Sequence, residues 1–438
     1  MSHSVHDRTN QQRVAVIGAG YVGLPTAATL AHFGHHVVLA ERDESRLSAL
    51  RSGRMPIVEA DLDELVAEGV AAGNLSFTDS AVEAVRRAAF VFLCVPTPQS
   101  ADGSADLSYV EAAAKEIASS LQPGAIVVNK STVPVGSANM VEKVIGRRDV
   151  SVVSNPEFLR EGTAVLDSLN PDRIVVGADD ARAASRVGEL FSSTQAPLIV
   201  TDATTSETIK YASNAFLATK LSFVNALAGL CEEVGADARD VLLGLGYDKR
   251  SGFEFLRPGP GWGGSCLPKD TRALLHIAGE AGYDFSLLAG AIASNDEQLS
   301  RVVAKVEVAC GGSASGATVA VWGLTFKANT DDRRDSPSLQ VAHRLAALGA
   351  TVQAFDPTVD AESGFPDLQD LQLRADPYAA AAGAQVLVVL TEWDEFRWLD
   401  FSRVLAAMSD PNIVDARNLL DPAAVRRMGF RYTGIGRQ

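Results

Sequence analysis

Cys266 follows Gly259, Gly261, Gly263 and Gly264, four glycines in six residues, and precedes Leu267-Pro268-Lys269-Asp270. Such a loop can turn tightly and let a ligand come close to the backbone. Pro268 suits the first turn of a helix, where its missing N–H costs nothing. A thiol at that point feels the positive helix end, which favours the thiolate, the form that attacks carbonyl carbon. Asp270, four residues on, faces the same side of the helix as Cys266. The competing reading is a surface loop leading to a buried, inert cysteine.

A second constellation is Gly18-Ala19-Gly20-Tyr21-Val22-Gly23. Residues 13–17 read as a buried strand. An alanine-rich helix then runs to about residue 33 and is stopped by Gly34, and 36–40 form a second strand ending at Glu41. In that setting the glycines admit a pyrophosphate to the helix N-terminus, and the carboxylate grips the adenosine ribose hydroxyls. Glu41 would repel a 2′-phosphate, which favours NAD over NADP. Arg42 beside it either accepts such a phosphate or is solvated.

Residues 90–95 and 125–129 read as further strands, ending in Pro96-Thr97-Pro98 and Lys130-Ser131-Thr132-Val133-Pro134. Loops after strand C-termini line the crevice of a doubly wound sheet, so Thr97 and Thr132 either touch the cofactor or are turn residues before proline. Cys94 reads as packing. In Asn155-Pro156-Glu157-Phe158-Leu159-Arg160-Glu161-Gly162, an Asn cap and a Pro start predict a helix that stacks Glu157 and Glu161 one turn apart. Close carboxylates would raise one pKa towards a useful base value; the alternative is an exposed acidic face. Residues 204–234 predict one long helix on which Lys210 and Asn214 share a face, against a crevice or in solvent. Asp248-Lys249-Arg250 and Arg257 bring positive charge near the cysteine loop in sequence.

These groups need a large scaffold. The chain has 438 residues, enough for two or three domains. Its 39 Lys and Arg against 54 Asp and Glu give a net charge of −15, which argues against nucleic acid and anionic membrane as partners. An anionic ligand would need a local basic pocket. Cys94, Cys231, Cys266 and Cys310 form neither a metal pair nor a disulfide framework, and a reducing cytoplasm fits. No apolar run reaches the roughly 18 residues of a membrane span. Residues 1–12, with His3 and His6, read as a disordered tail. The link Gly311-Gly312-Ser313 precedes a second strand–helix alternation, with strands at 317–323, 351–355, 385–390 and 412–414 and a helix at 337–348. Lys327, Arg334 and Arg417 fall near those strand ends, as phosphate ligands or as surface charge.

The predicted fold class is α/β: two Rossmann-like doubly wound parallel-sheet domains joined by a long central helix. The boundaries are 1–12 for the tail, 13–200 for an NAD-binding domain, 201–305 for a helical domain with the cysteine loop, and 306–438 for a second Rossmann-like domain.

Read together, these stretches resemble the UDP-glucose/GDP-mannose dehydrogenase family from about Arg13 to Gly434. Gly18 to Pro25, Lys130 to Pro134, Asn155 to Gly162 and Gly263 to Cys266 carry the likeness, and Asp415-Ala416-Arg417-Asn418 resembles a late family stretch with Ala416 replacing Gly. The resemblance implies a C6 alcohol oxidised to a carboxylate by two NAD⁺, through a thiohemiacetal and a thioester on Cys266. It implies that Lys210 stabilises the oxyanion with Asn214, and that Asp270 positions a water or Lys210. Glu157 would activate the hydrolytic water, supported by Glu161 and Thr132, with base duty left open among Lys210, Asp270 and Glu157. Cofactor positions are Gly18, Gly20, Tyr21, Val22, Gly23, Glu41, Arg46, Val95, Thr97, Thr132, Lys269 and Arg334. Substrate positions are Glu157, Phe158, Leu159, Lys210, Asn214, Phe255, Leu256, Arg257, Gly263, Phe326 and Lys327, with Arg250 reaching across a dimer built on the central helix. No metal is implied.

Two departures stand out: Glu41 where Asp is common, and Trp262 where Phe is common. UDP-glucose is the favoured substrate, with dTDP-glucose or GDP-mannose as alternatives. A β-hydroxyacid dehydrogenase would share the first domain and a Lys–Asn helix but needs no cysteine. A non-enzymatic NAD sensor would need only the first motif.

Overall fold

The computed structural model describes residues 11–100, 103–362 and 364–437. The chain divides into two compact units: the described residues up to Ser213 with Arg272–Ala281, and Asn214–Thr271 with the described residues from Gly282 on. The expected tail falls on residues 1–10, outside the described residues, except for its last two. Of these, Gln12 already accepts a backbone hydrogen bond from His36 at 2.9 Å.

The first unit holds eight strands: β1 (Arg13–Ile17), β2 (His36–Ala40), β3 (Leu75–Thr78), β4 (Phe90–Leu93), β5 (Ile126–Asn129), β6 (Ser151–Ser154), β7 (Ile174–Gly177) and β8 (Leu198–Thr201). Their order is β3-β2-β1-β4-β5-β6-β7-β8. Runs rich in Val, Ile and Phe suit strands buried on both faces. Along β1, Val14 and Val16 pack into one core while Ala15 and Ile17 pack into another, the period-two signature of a sheet covered on both sides. The sheet reverses its winding between β1 and β4, which is where such sheets bind ligands. One local departure from a parallel sheet exists: β7 meets β6 antiparallel through the single pair Ser154 and Gly177.

The second unit repeats the theme with β9 (Thr318–Trp322), β10 (Thr351–Phe355), β11 (Gln372–Leu373), β12 (Val386–Val389), β13 (Asn412–Asp415) and β14 (Arg431–Gly434). The order β11-β10-β9-β12-β13-β14 is again that of a dinucleotide-type sheet, with the reversal between β9 and β12. Val319 and Val321 face one core, Ala320 and Trp322 the other. The short edge strands β11 and β14 have no counterpart in the sequence reading.

A 32-residue helix, Ala203–Val234, carries both Lys210 and Asn214. Its length and mean hydropathy would allow it to cross a membrane, but polar residues interrupt it and half of its most apolar window is buried inside the protein, as in a core helix. Helix Leu267–Glu280 starts directly after Cys266.

Candidate functional site

In the first unit the glycine turn has a clear physical reason. Gly18 has φ +102°, and a Cβ there would strike the Cys94 carbonyl; a Cβ on Gly23 would strike the Gly18 carbonyl. Gly20 has no heavy atom within 4 Å of where its Cβ would be, so its open side leaves room for a ligand. Helix Gly23–His32 has Val22 at its cap and no side-chain acceptor there. Its first N–H groups therefore suit a diphosphate. Glu41 accepts hydrogen bonds from Ala19 N–H and Asp43 N–H, each at 2.9 Å, which fixes its carboxylate beside the turn. Arg42 is exposed, and its guanidinium lies against the Glu116 carboxylate. Thr97 Oγ1 donates to the Thr132 carbonyl at 2.9 Å, so the two loops meet. Tyr21, Val22 and Val95 are half-buried, whereas Arg46 is exposed and its backbone N–H caps on Asp43. These features fit NAD, which when bound supplies a hydride acceptor.

The expected helix at 155–162 does not form. The segment is irregular, and the next helix is Ala164–Leu169. Side chains win over helix formation here. Asn155 donates to the Val175 carbonyl at 2.7 Å instead of capping, and Glu157 accepts Leu159 N–H at 2.6 Å. Glu59 accepts Gly162 N–H and Ala164 N–H, each at 2.7 Å, and so starts the following helix from outside. Glu157 and Glu161 therefore do not stack, and Glu157 is not exposed but 4% accessible.

Glu157 instead meets Lys210, whose Nζ donates to Oε1 at 2.9 Å. Burial alone would raise the Glu157 pKa, but the charge and hydrogen bond of Lys210, the Leu159 N–H and the Lys130 charge together hold it below its ordinary value. The expected rise towards a base value is thus reversed. Lys130 is buried and donates to Asn155 Oδ1 at 3.0 Å. Desolvation lowers its pKa to about 8, against the opposing pull of Glu157. The Arg173 guanidinium stacks 3.7 Å from the centroid of Phe158, whose ring also has Lys210 Nζ at 5.5 Å. Lys130, Asn155, Arg173 and Glu59 were not legible as site residues. Of these, Lys130 and Asn155 lay in motifs that could have flagged them, whereas Arg173 and Glu59 did not.

Glu207, one turn before Lys210, fastens the end of the Thr132 loop. Its carboxylate accepts Gly136 N–H at 2.6 Å and Ala138 N–H at 2.9 Å. Burial pushes its pKa up to about 7 against those donors. The folded state thus keeps a proton that the unfolded chain gives up near 4.5. The resulting stabilisation, roughly 3 kcal/mol, is full below the unfolded value and lost as pH rises through the folded one. The wild-type melting temperature should fall between about pH 5 and pH 8, and Glu207→Gln should flatten that fall. Equal slopes in calorimetry would refute this.

In the second unit, Cys266 is half-buried and its carbonyl accepts Asp270 N–H at 2.9 Å in the first helical turn. Ser265 Oγ lies 3.5 Å from its sulfur. Asp270 is fully buried and accepts Asn214 Nδ2 and Lys269 Nζ, each at 2.6 Å. Asp270, Asn214 and Lys269 therefore converge one helical turn after Cys266, and Asn214 is not a solvated residue. Leu256 packs with Val224 and Leu242, while Phe255 has φ +61° and Arg257 is exposed. Arg250 is exposed and held by Asp248 at 2.6 Å. Lys327 Nζ lies 5.4 Å from the Phe326 ring centroid, and Arg334 pairs with Asp332 at 2.7 Å. Arg417 is not loose surface charge: it donates to the Phe326 and Leu390 carbonyls at 2.7 and 2.8 Å. At the end of β10, Asp356 accepts Leu324 N–H at 2.7 Å and Thr325 N–H at 3.2 Å. Asp356 thus stands at the end of β10 as Glu41 does at the end of β2, its carboxylate fixed by N–H groups of the turn after the first strand of its sheet.

The first sheet, its glycine turn and Glu41 define the class, a dinucleotide-binding protein of doubly wound architecture. Three models of the UDP-glucose/GDP-mannose dehydrogenase family match: its NAD binding domain over residues 12–195, its central domain over 204–297 and its UDP binding domain over 320–422. The chain is 49% identical to a UDP-glucose 6-dehydrogenase of Rhizobium meliloti, covering 97% of this chain and 99% of that one. It is 44% identical to one of Pseudomonas aeruginosa, covering 97% of each. A UDP-glucose dehydrogenase structure from Pyrobaculum islandicum superposes with TM-score 0.91 at 36% identity, covering 99% of this chain and 100% of that one. The chain belongs to the UDP-glucose/GDP-mannose dehydrogenase family, as an NAD-dependent nucleotide-sugar dehydrogenase.

Proposed function

We propose that the protein oxidises the C6 alcohol of UDP-glucose to UDP-glucuronate with two NAD⁺. The observation that carries this is Cys266 immediately before a helix whose first turn holds Asp270, itself bonded to Asn214 and Lys269. The alcohol loses a hydride and a proton to give the aldehyde. The Cys266 thiolate adds to that carbon, and a proton on the oxygen completes a thiohemiacetal. Loss of a second hydride and proton leaves a thioester, and water releases the carboxylate and the thiol. Lys210, with Asn214, stabilises the oxyanion. Asp270 orients Asn214 and Lys269. Glu157, held ionised, orients the hydrolytic water with Glu161 and Thr132 in support.

Gly18, Gly20, Gly23 and Glu41 hold the cofactor with Tyr21, Val22, Arg46, Val95, Thr97, Lys269 and Arg334. The nucleotide-sugar is held by Phe158, Leu159, Phe255, Leu256, Arg257, Gly263, Phe326 and Lys327. The assigned domains are 13–200, 201–305 and 306–438. The cysteine spacings suit a reducing compartment, and the cytoplasm is the proposed location.

The test follows NADH with UDP-glucose, dTDP-glucose, GDP-mannose and UDP-N-acetylmannosamine. The expected result is about two NADH per UDP-glucose and no free aldehyde, the stoichiometry of covalent catalysis in two oxidations. One NADH per sugar would remove the thioester step, and a preference for another sugar would move the nucleotide assignment.

The functional assembly is a homodimer through the central helix. Phe216, Phe223, Leu230 and Val234 are 68%, 57%, 55% and 66% exposed and form one stripe at helical spacing. A contiguous apolar stripe of this kind marks a protein interface. In such a dimer Arg250 reaches the partner's ligand. Phe223→Glu should convert the dimer to monomer in light scattering; an unchanged mass would reject this interface.

A further inference from the structure

The backbone of the cysteine loop is gripped by side chains from helices Ala203–Val234 and Ser286–Ala309. Asn295 accepts Trp262 N–H at 2.8 Å and donates to the Trp262 carbonyl at 3.0 Å. Gln298, one turn on, donates to the Gly259 carbonyl at 2.7 Å. From the other helix, Asn225 accepts Gly259 N–H at 2.9 Å. Ser222 accepts the Trp262 indole N–H at 2.8 Å, and its hydroxyl donates to the Ala291 carbonyl at 2.7 Å. Ser222, Asn225, Asn295 and Gln298 are 3%, 3%, 8% and 4% exposed. The other flank is equally tight: a Cβ on Gly263 would strike the Asp335 carbonyl, and one on Gly264 would strike the Phe326 ring.

A glycine loop left to itself samples many shapes. Here both backbone groups of two loop residues, Gly259 and Trp262, are satisfied by buried amides rather than by water. Buried amides without those partners would each cost about 1–3 kcal/mol, so the grip and the loop shape specify each other. Trp262 lies four residues before Cys266, and nucleophilic attack tolerates little error: about 1 Å of misplacement costs on the order of 100-fold.

We propose that Asn225, Asn295 and Gln298 are positioning residues for Cys266, and that the Trp262–Ser222 hydrogen bond is this chain's own addition to the clamp. The inference rests on Cys266 being the nucleophile. A phenylalanine in place of Trp262 would have no N–H for Ser222, so the serine's role here is tied to the tryptophan.

The full-length enzyme tests it. Wild type and Cys266→Ser first settle the nucleophile reading by NADH stoichiometry. Asn295→Leu, Asn295→Asp, Ser222→Ala, Trp262→Phe and the Ser222→Ala/Trp262→Phe double variant are then compared. The readouts are kcat, KM, NAD affinity and the rate at which iodoacetamide alkylates Cys266 without substrate. Asn295→Leu should lower kcat about 100-fold and slow alkylation about fivefold, with NAD affinity within about twofold. Asn295→Asp keeps the acceptor for Trp262 N–H and loses the donor, so it should fall between. Ser222→Ala should lower kcat about fivefold when Trp262 is intact and less than about twofold in the Trp262→Phe background, a coupling that an independent structural role would not produce. The clamp is refuted if Asn295→Leu keeps kcat within about threefold, or if kcat falls while the alkylation rate stays at wild type. If Asn295→Leu does not fold, Asn295→Asp and the serine–tryptophan cycle decide it. Retained turnover in Cys266→Ser would refute the nucleophile alone, since alkylation of the wild-type thiol still reports on the clamp.

Discussion

Cys266→Ser is expected to lose overall UDP-glucose turnover by about 10³-fold or more while NAD binding stays within about twofold of wild type. The two effects separate because they draw on different residues. The proposed cofactor cradle is Gly18, Gly20, Gly23 and Glu41, whose geometry depends on Cys94, Ala19 and Asp43. The serine hydroxyl keeps the shape and the helix start but is a far weaker nucleophile at neutral pH than a thiol. Any residual activity should consume one NAD⁺ per sugar and release aldehyde, because the second oxidation needs the covalent adduct. Rapid quench with carbonyl trapping distinguishes the outcomes. Full turnover with two NADH per sugar in this variant would remove covalent catalysis and leave only the positioning role of Asp270 and Asn214.

What could be read in advance follows a physical rule. The Gly18–Gly23 turn and Glu41 were legible because strand, turn and helix are contiguous, so the pattern of a few dozen residues contains the whole device. The helix start after Cys266, with Asp270 in its first turn, was legible for the same reason. The second sheet was legible as an alternation of strand and helix, but its edge strands β11 and β14 were not. The former has only two residues, and neither carries a long apolar run.

The failures involve partners far apart in sequence. Asn155 looked like a helix cap because its local context allows one; its partners are the Val175 carbonyl and Lys130. Glu157 looked like half of a carboxylate pair, and its true partner is 53 residues away. Asn225, Asn295 and Gln298 have no motif at all: amides on helices read as surface until the loop they hold is placed. Burial of polar groups is a tertiary property, and spacing alone does not carry it.

The Lys210–Glu157 pair gives the second large expectation. Lys210 and Glu157 are 3% and 4% exposed, so neither charge is relieved by water when the other is removed. Lys210→Met should therefore cost about 3–5 kcal/mol of stability at pH 7, most of it the penalty of an uncompensated carboxylate. It should also lower kcat about 10²- to 10³-fold through loss of the oxyanion partner. In the wild type the Glu157 pKa is held down, so its stabilisation is present above the unfolded value and is lost as pH falls through the folded one. Without Lys210 the largest attraction opposing burial is gone, and Glu157 is expected to take up a proton on folding instead. The stability deficit of Lys210→Met should consequently shrink as pH falls from neutral through the ordinary carboxylate value to the lowered Glu157 value of the wild type. Adding Glu157→Gln to Lys210→Met removes the stranded charge, so the double variant should regain most of the stability and none of the turnover. Urea unfolding across this pH range, with kcat measured on the same preparations, separates the two roles. A deficit independent of pH, or a double variant no more stable than Lys210→Met, would show that the pair matters through packing rather than charge.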